Sequence, residues 1–199
     1  MSIRITGGIW RGRLLDVPKK GVRPTQDRVR AAIFSSLQDV FPGASVLDLF
    51  AGTGAFGLEA LSRGASFACF VENDRSVLAY LRSNVARLIC GGEANHGKSA
   101  DVGKFLIIRS DAMSFVMHSP DDCETDIIFA DPPYDSHGEF TKIILFHLSR
   151  RSILAKKGYL IIESSAKSPL IEADGWNIYW ERLYGETRIC IYQQEIKGT

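Results

Sequence analysis

The chain has 199 residues, 45% hydrophobic and 24% charged, which suits one globular domain with a small appendage and excludes a disordered or fibrous protein. Its net charge of +1 is uneven: residues 1–30 hold eight basic and two acidic side chains, +6, which leaves −5 for the remainder. The cysteines (Cys69, Cys90, Cys123, Cys190) form no CxxC pair and no apolar run reaches membrane length, which excludes a disulfide framework, a zinc site and a membrane span, and leads us to expect a cytoplasmic monomer.

Residues 2–17, "SIRITGGIWRGRLLDV", predict two short strands around Gly7-Gly8, rich in arginine and carrying Trp10. A basic arm on an acidic body points to a polyanion partner for the arm. "RPTQDRVRAAIFSSLQDVF" predicts a helix with Thr25 as N-cap and Val29, Ile33, Leu37 and Val40 on one face. Pro42-Gly43 ends it. Regular alternation follows: a strand over 45–50, a glycine loop, the helix "AFGLEALSRG", and a strand over 67–72. Asp74 then caps a helix with Val77, Leu81, Val85 and Leu88 on one face. Residues 91–103 read as a polar, glycine-rich loop. Strands over 104–109, 125–131 and 158–164 follow, with helices around 112–118 and 138–151 between them. "WNIYWERLYGETRICIYQQE" predicts a terminal hairpin turning at Gly185-Glu186. Phe67, Phe70, Phe105 and Phe129 are expected in the core. The sum is an α/β fold, a mostly parallel seven-stranded sheet with helices on both faces and one antiparallel strand from the hairpin.

Two stretches carry chemistry. "DLFAGTGAFG" sets Gly52, Gly54 and Gly57 in a GxGxxG between a strand and a helix, where glycine lets a ligand approach the backbone and the helix start offers N–H groups. Glu72 closes the next strand twenty residues after Gly52, where an acid accepts from ribose hydroxyls. Asp48 precedes the loop, and Asp111 follows the third strand, placed to accept from an adenine amine. This much fits NAD and S-adenosylmethionine alike.

The second stretch, Asp131-Pro132-Pro133-Tyr134, tips the balance. Two prolines stop a strand and stiffen the chain beside a carboxylate, a free carbonyl and a ring. Hydride transfer has no use for that set. Methyl transfer to an exocyclic amine has: Asp131 and the Pro132 carbonyl accept the two N–H bonds, and Tyr134 stacks on a base flipped out of its stack.

These residues resemble the DPPY-bearing Rossmann-like methyltransferases, and among them the 16S rRNA (guanine-N2)-methyltransferase family. "ITGGIWRGRLL", "RPTQDRVRAAIFSSL", "VLDLFAGTGAFGLEALSRGA", "FVENDR", "DAMSF", "DPPY" and "YGETRICIY" occur in the family's order over nearly the whole chain. The resemblance implies S-adenosylmethionine as cofactor, with contacts from Arg23, Thr25, Asp48, Phe50, Ala51, Gly52, Thr53, Gly54, Glu72, Asn73, Asp111 and Ala112. It implies catalytic roles for Asp131, Pro132, Pro133 and Tyr134, and no metal. It further implies a basic hairpin extension, residues 1–24, before a methyltransferase domain, residues 25–199. Arg4, Trp10, Arg11, Arg13 and Arg28 would contact small-subunit rRNA, free or within the assembling subunit. The chain departs from the family in carrying Ala31 where an acid is usual, and in a longer loop over 91–103. Other readings are a methyltransferase for DNA adenine N6 or protein glutamine, an NAD-dependent oxidoreductase, and a non-catalytic RNA-binding factor.

Overall fold

The computed structural model describes residues 3–18, 27–90, 103–119, 124–133 and 137–195. The expected N-cap Thr25, its neighbours Arg23 and Pro24, most of the 91–103 loop, and Tyr134 lie outside them. The chain divides into two compact units, Met1–Ser110 and Asp111–Thr199. The N-terminal hairpin clusters with the elements that follow it.

In the first unit β1 (Ile3–Arg4) pairs antiparallel with β2 (Leu14–Leu15). Gly8 adopts φ +76°, and a Cβ there would fall 1.9 Å from the Ser62 carbonyl oxygen. That close approach is why the turn needs glycine. It lets Ile9 N–H donate to Ser62 O at 2.8 Å and the Ser62 hydroxyl donate to Gly7 O at 2.7 Å. Helix α1 (Asp27–Ser36) buries Val29, Ile33 and Phe34 but ends before Leu37 and Val40, which the spacing predicts on the same helical face, and Phe34 stacks 4.8 Å from Phe56.

β3 (Ser45–Asp48), α2 (Ala55–Ser62), β4 (Phe67–Glu72), α3 (Arg75–Val85) and β5 (Lys104–Arg109) alternate as the periodicity predicts. A π-helical turn, Ala86–Cys90, continues α3. The three strands run parallel in the order β5-β4-β3. The Asp74 side chain caps α3, accepting from Ser76 N–H at 2.7 Å and Val77 N–H at 3.1 Å. The buried face of that helix is Leu78, Leu81 and Val85, one position round from the expected Val77. Phe105 corrects the reading of the core: it is 37% exposed on β5, because an outermost strand has fewer neighbours to cover it.

The second unit holds α4 (Ala112–His118), β6 (Thr125–Ala130), α5 (Glu139–Leu148), β7 (Leu154–Ser165), β8 (Trp176–Tyr184) and β9 (Thr187–Gln194). Their order is β6-β7-β9-β8, with β6 and β7 parallel and β9 antiparallel to both its neighbours. β7 begins four residues earlier than expected, since Leu154 pairs with Thr125 ahead of an irregular stretch, after which pairing resumes with Tyr159 opposite Ile127. With these four strands the main sheet has seven, mixed and mostly parallel, the α/β fold that the sequence predicts. Ile127, Ile128, Ile161 and Ile191 form the apolar centre of this unit.

Candidate active site

In the first unit, the loop after β3 is shaped by glycines that do different jobs. A Cβ on Gly54 (φ +88°) would lie 2.5 Å from the Leu81 side chain, and one on Gly57 would lie 2.3 Å from the Phe70 ring. Those two serve close packing of α2 on its neighbours. Gly52 (φ +53°) meets nothing nearer than Phe50 O at 3.9 Å, so its backbone borders open space. That is the glycine a ligand can approach.

Two carboxylates flank the loop. Glu72 accepts from Gly52 N–H at 2.9 Å through Oε2 and from Asp74 N–H at 2.7 Å through Oε1. Each oxygen keeps a second lone pair, so the acid is oriented by the backbone and still able to accept. Asp48 is 1% exposed; its Oδ2 accepts from Gly57 N–H at 3.1 Å, while its Oδ1 has no partner. Burial pushes the Asp48 carboxyl up to about 7, opposed by the Gly57 hydrogen bond and reinforced by the charge of Glu72. The buried Thr53 hydroxyl is also unpartnered. Phe50 is half-buried, Ala51 is buried, and Asn73 is exposed.

Two buried polar side chains that the sequence reading passed over tie the N-terminal hairpin to this loop and to α2. Asn84 donates to Thr53 O and to Asp16 O, both at 3.0 Å, and accepts from Asp16 N–H at 2.8 Å, joining loop to hairpin. Glu59, wholly buried on α2, pairs with Arg30 at 2.9 Å and Arg63 at 2.8 Å and accepts from Thr6 N–H at 3.1 Å. A lone acid in the apolar helix "AFGLEALS" was the available signal, since a buried carboxylate requires a partner.

In the second unit Asp131 and Pro132, half-buried, and Pro133, exposed, directly follow Ala130 at the carboxyl end of β6. The strand ends where the two prolines predict. Asp111 caps α4, its Oδ1 accepting from Ser114 N–H at 2.9 Å, and Ala112 is buried behind it. Tyr134, Arg23 and Thr25 lie outside the described residues.

The N-terminal face departs from expectation. Arg4, Arg11, Arg13 and Arg28 are exposed. Trp10 is 1% exposed, its backbone N–H bonded to the Ser62 hydroxyl at 2.9 Å, so its ring is a core element with no face for a base to stack on. Arg30, counted in the basic arm, is buried against Glu59 and Asp27 and adds no surface charge. Among the described residues no group of acids, histidines and cysteines is arranged to hold a metal, and no helix is long and apolar enough to cross a membrane.

The family model described as "Conserved hypothetical protein 95" matches residues 3–193. The chain is 38% identical to ribosomal RNA small subunit methyltransferase D of Escherichia coli strain K12, over 99% of this chain and 92% of that one. It is 31% identical to the protein of the same name from Haemophilus influenzae, over 96% and 94%. Among solved structures, yhhF from Escherichia coli superposes with a TM-score of 0.81 at 36% identity, covering 98% of this chain and 99% of that one. A hypothetical protein from Thermus thermophilus does so with a TM-score of 0.76 at 27% identity, over 96% and 99%. A glycine loop bordered by two acids, an acid–proline strand end and full-length likeness all agree: the chain belongs to the family described as conserved hypothetical protein 95, alongside these small-subunit rRNA methyltransferases.

Proposed function

We propose that this protein transfers a methyl group from S-adenosylmethionine to the exocyclic N2 amine of one guanine in 16S rRNA, free or within the small subunit, acting as a cytoplasmic monomer. The observation that carries the reading is the Asp131-Pro132-Pro133 corner at the carboxyl end of β6. The residues around the glycine loop fit the cofactor. Open space borders Gly52, Glu72 retains acceptor capacity for ribose hydroxyls, and the unpartnered Asp48 Oδ1 and Thr53 Oγ1 leave buried polar capacity beside the loop. When bound, S-adenosylmethionine supplies an electrophilic methyl carbon on its sulfonium, so neither a metal nor a covalent enzyme intermediate is needed.

The chain's own task is to make a poor nucleophile competent. The guanine N2 lone pair is delocalised into the ring. Asp131 and the Pro132 carbonyl accept its two hydrogens and favour the pyramidal nitrogen on which positive charge develops. As the N–C bond forms and the methyl C–S bond of the sulfonium breaks, the thioether would leave neutral and Asp131 would take one of the two protons, restoring a neutral amine. Tyr134 holds the flipped base by stacking, which is worth about 1–3 kcal/mol. The relatives' name, the lack of any evident role for this corner in hydride transfer, and the family's full-length match all weigh against the NAD-dependent reading.

Asp131→Ala separates binding from chemistry. S-adenosylmethionine affinity by calorimetry should stay within about twofold of wild type while label transfer to rRNA falls at least about 100-fold, the scale of losing a transition-state acceptor. Equal transfer by the variant refutes the assignment.

A further inference from the structure

On α3 and at the end of β5, the first unit carries an open cavity of about 450 Å³ lined by Arg75, Leu78, Ala79, Arg82 and Arg109. The helical residues follow an i, i+3, i+4, i+7 spacing, so one face of α3 supplies two guanidinium groups and a small apolar floor. β5 supplies the third, at the position paired with Glu72 on β4. All three arginines are exposed, and among the described residues none forms an ion pair, unlike Arg30, Arg63, Arg87 and Arg188. No acid lines the cavity. Two acids neighbour it: Glu72, paired across the strands with Arg109, and Asp74, whose carboxylate is engaged by Ser76 and Val77 and held low chiefly by the Ser76 hydroxyl, with Arg109 a smaller cause.

We propose that this groove is a second contact surface for the rRNA backbone, binding phosphodiester groups through Arg75, Arg82 and Arg109. The inference rests on the rRNA reading above and adds a site remote in sequence from the N-terminal hairpin. Exposed guanidinium forks match phosphate oxygens bidentately; that of Arg109 also donates through Nε to Asn73 O at 3.5 Å. Arg75 and Arg82 are seven residues apart, about 10 Å along the helix axis at 1.5 Å per residue. That spread is too wide for a single phosphate and suits a strand with a charge at every nucleotide. Contacts of this kind to phosphate set position and on-rate without conferring sequence preference.

Salt dependence tests it. Binding of the intact protein to unmethylated 16S rRNA is measured across a series of KCl concentrations for wild type, Arg75→Gln, Arg82→Gln, Arg109→Gln, the triple variant, and Arg182→Gln as an exposed control outside the groove. Each groove variant should lower the slope of log K against log [KCl] by about 0.7 to 0.9, and the triple variant by about 2. The control slope and all melting temperatures should stay as in wild type. Unchanged slopes in the groove variants, or an equal drop in Arg182→Gln, overturn the site as merely a solvated face. Saturation of wild type by inorganic phosphate with no effect on rRNA binding assigns the groove to a free anion and overturns it too. A wild type that binds no rRNA removes the functional reading and the groove together. A wild type that methylates rRNA while the triple variant keeps its slope removes the groove alone.

Discussion

Asp48 shows how one residue couples the loop to pH. Its carboxyl titrates near 7 in the folded chain against 3.8 when unperturbed, because it is buried and faces the charge of Glu72. Between those values the folded state holds a proton that the unfolded chain has released. The contribution of Asp48 to stability is therefore greatest below about pH 4, falls as pH rises to about 7, and levels off above that. At about 1.4 kcal/mol per pH unit the full decline is at most about 4 kcal/mol. Asp48→Asn removes the titration, so urea denaturation from pH 5 to 8 should show a decline in wild type and a nearly flat profile in the variant. Equal profiles would mean that the Asp48 carboxyl is not perturbed. Asp48 and Glu72 lie beside this loop, as strand ends and spacing indicate. The sequence could not reveal that Trp10 and Arg30 are buried, because an aromatic or basic residue in a polar stretch looks the same whether it faces solvent or a hidden partner.

At the scale of elements, α2 is a hub as well as the support of the glycine loop. Its Glu59 gathers Arg30 from α1, Arg63 from beyond its own end, and Thr6 from the N-terminal hairpin, and Ser62 binds the turn of that hairpin. Buried ion pairs are costly to break by halves, because the surviving charge is left in an apolar setting. Glu59→Gln should therefore destabilise by about 3–5 kcal/mol, lower the Tm by roughly 10 °C, and loosen the hairpin in hydrogen exchange. A loss below about 1 kcal/mol would mean the cluster is solvated in solution. Strand and helix positions here were legible because apolar periodicity is local. The edge position of β5, which leaves Phe105 and Leu106 exposed, was not, because "KFLIIR" reads as a buried strand and only strand order decides who lies outermost. β7 likewise starts earlier than its apolar run, since Leu154 pairs with Thr125 of β6 across an irregularity that periodicity alone does not reveal.

For the whole molecule, order along the chain carried the recognition. A glycine loop alone serves several cofactors, and an acid–proline corner alone is a turn. The two in succession on an alternating α/β chain narrow the chemistry to methyl transfer onto an amine. The full-length match of the family model and the 38% identity to a small-subunit rRNA methyltransferase agree with that narrowing. Surface charge was the least legible property, since counting residues 1–30 as a basic arm included the buried Arg30, and the arginine groove on α3 and β5 gave no run of like charge in sequence. The most direct test is to incubate the protein and labelled S-adenosylmethionine with 16S rRNA from cells lacking the enzyme, digest to nucleosides and separate them by mass spectrometry. The account predicts label in N2-methylguanosine at a single position; label in methyladenosine, or none on either free rRNA or assembled subunits, contradicts it.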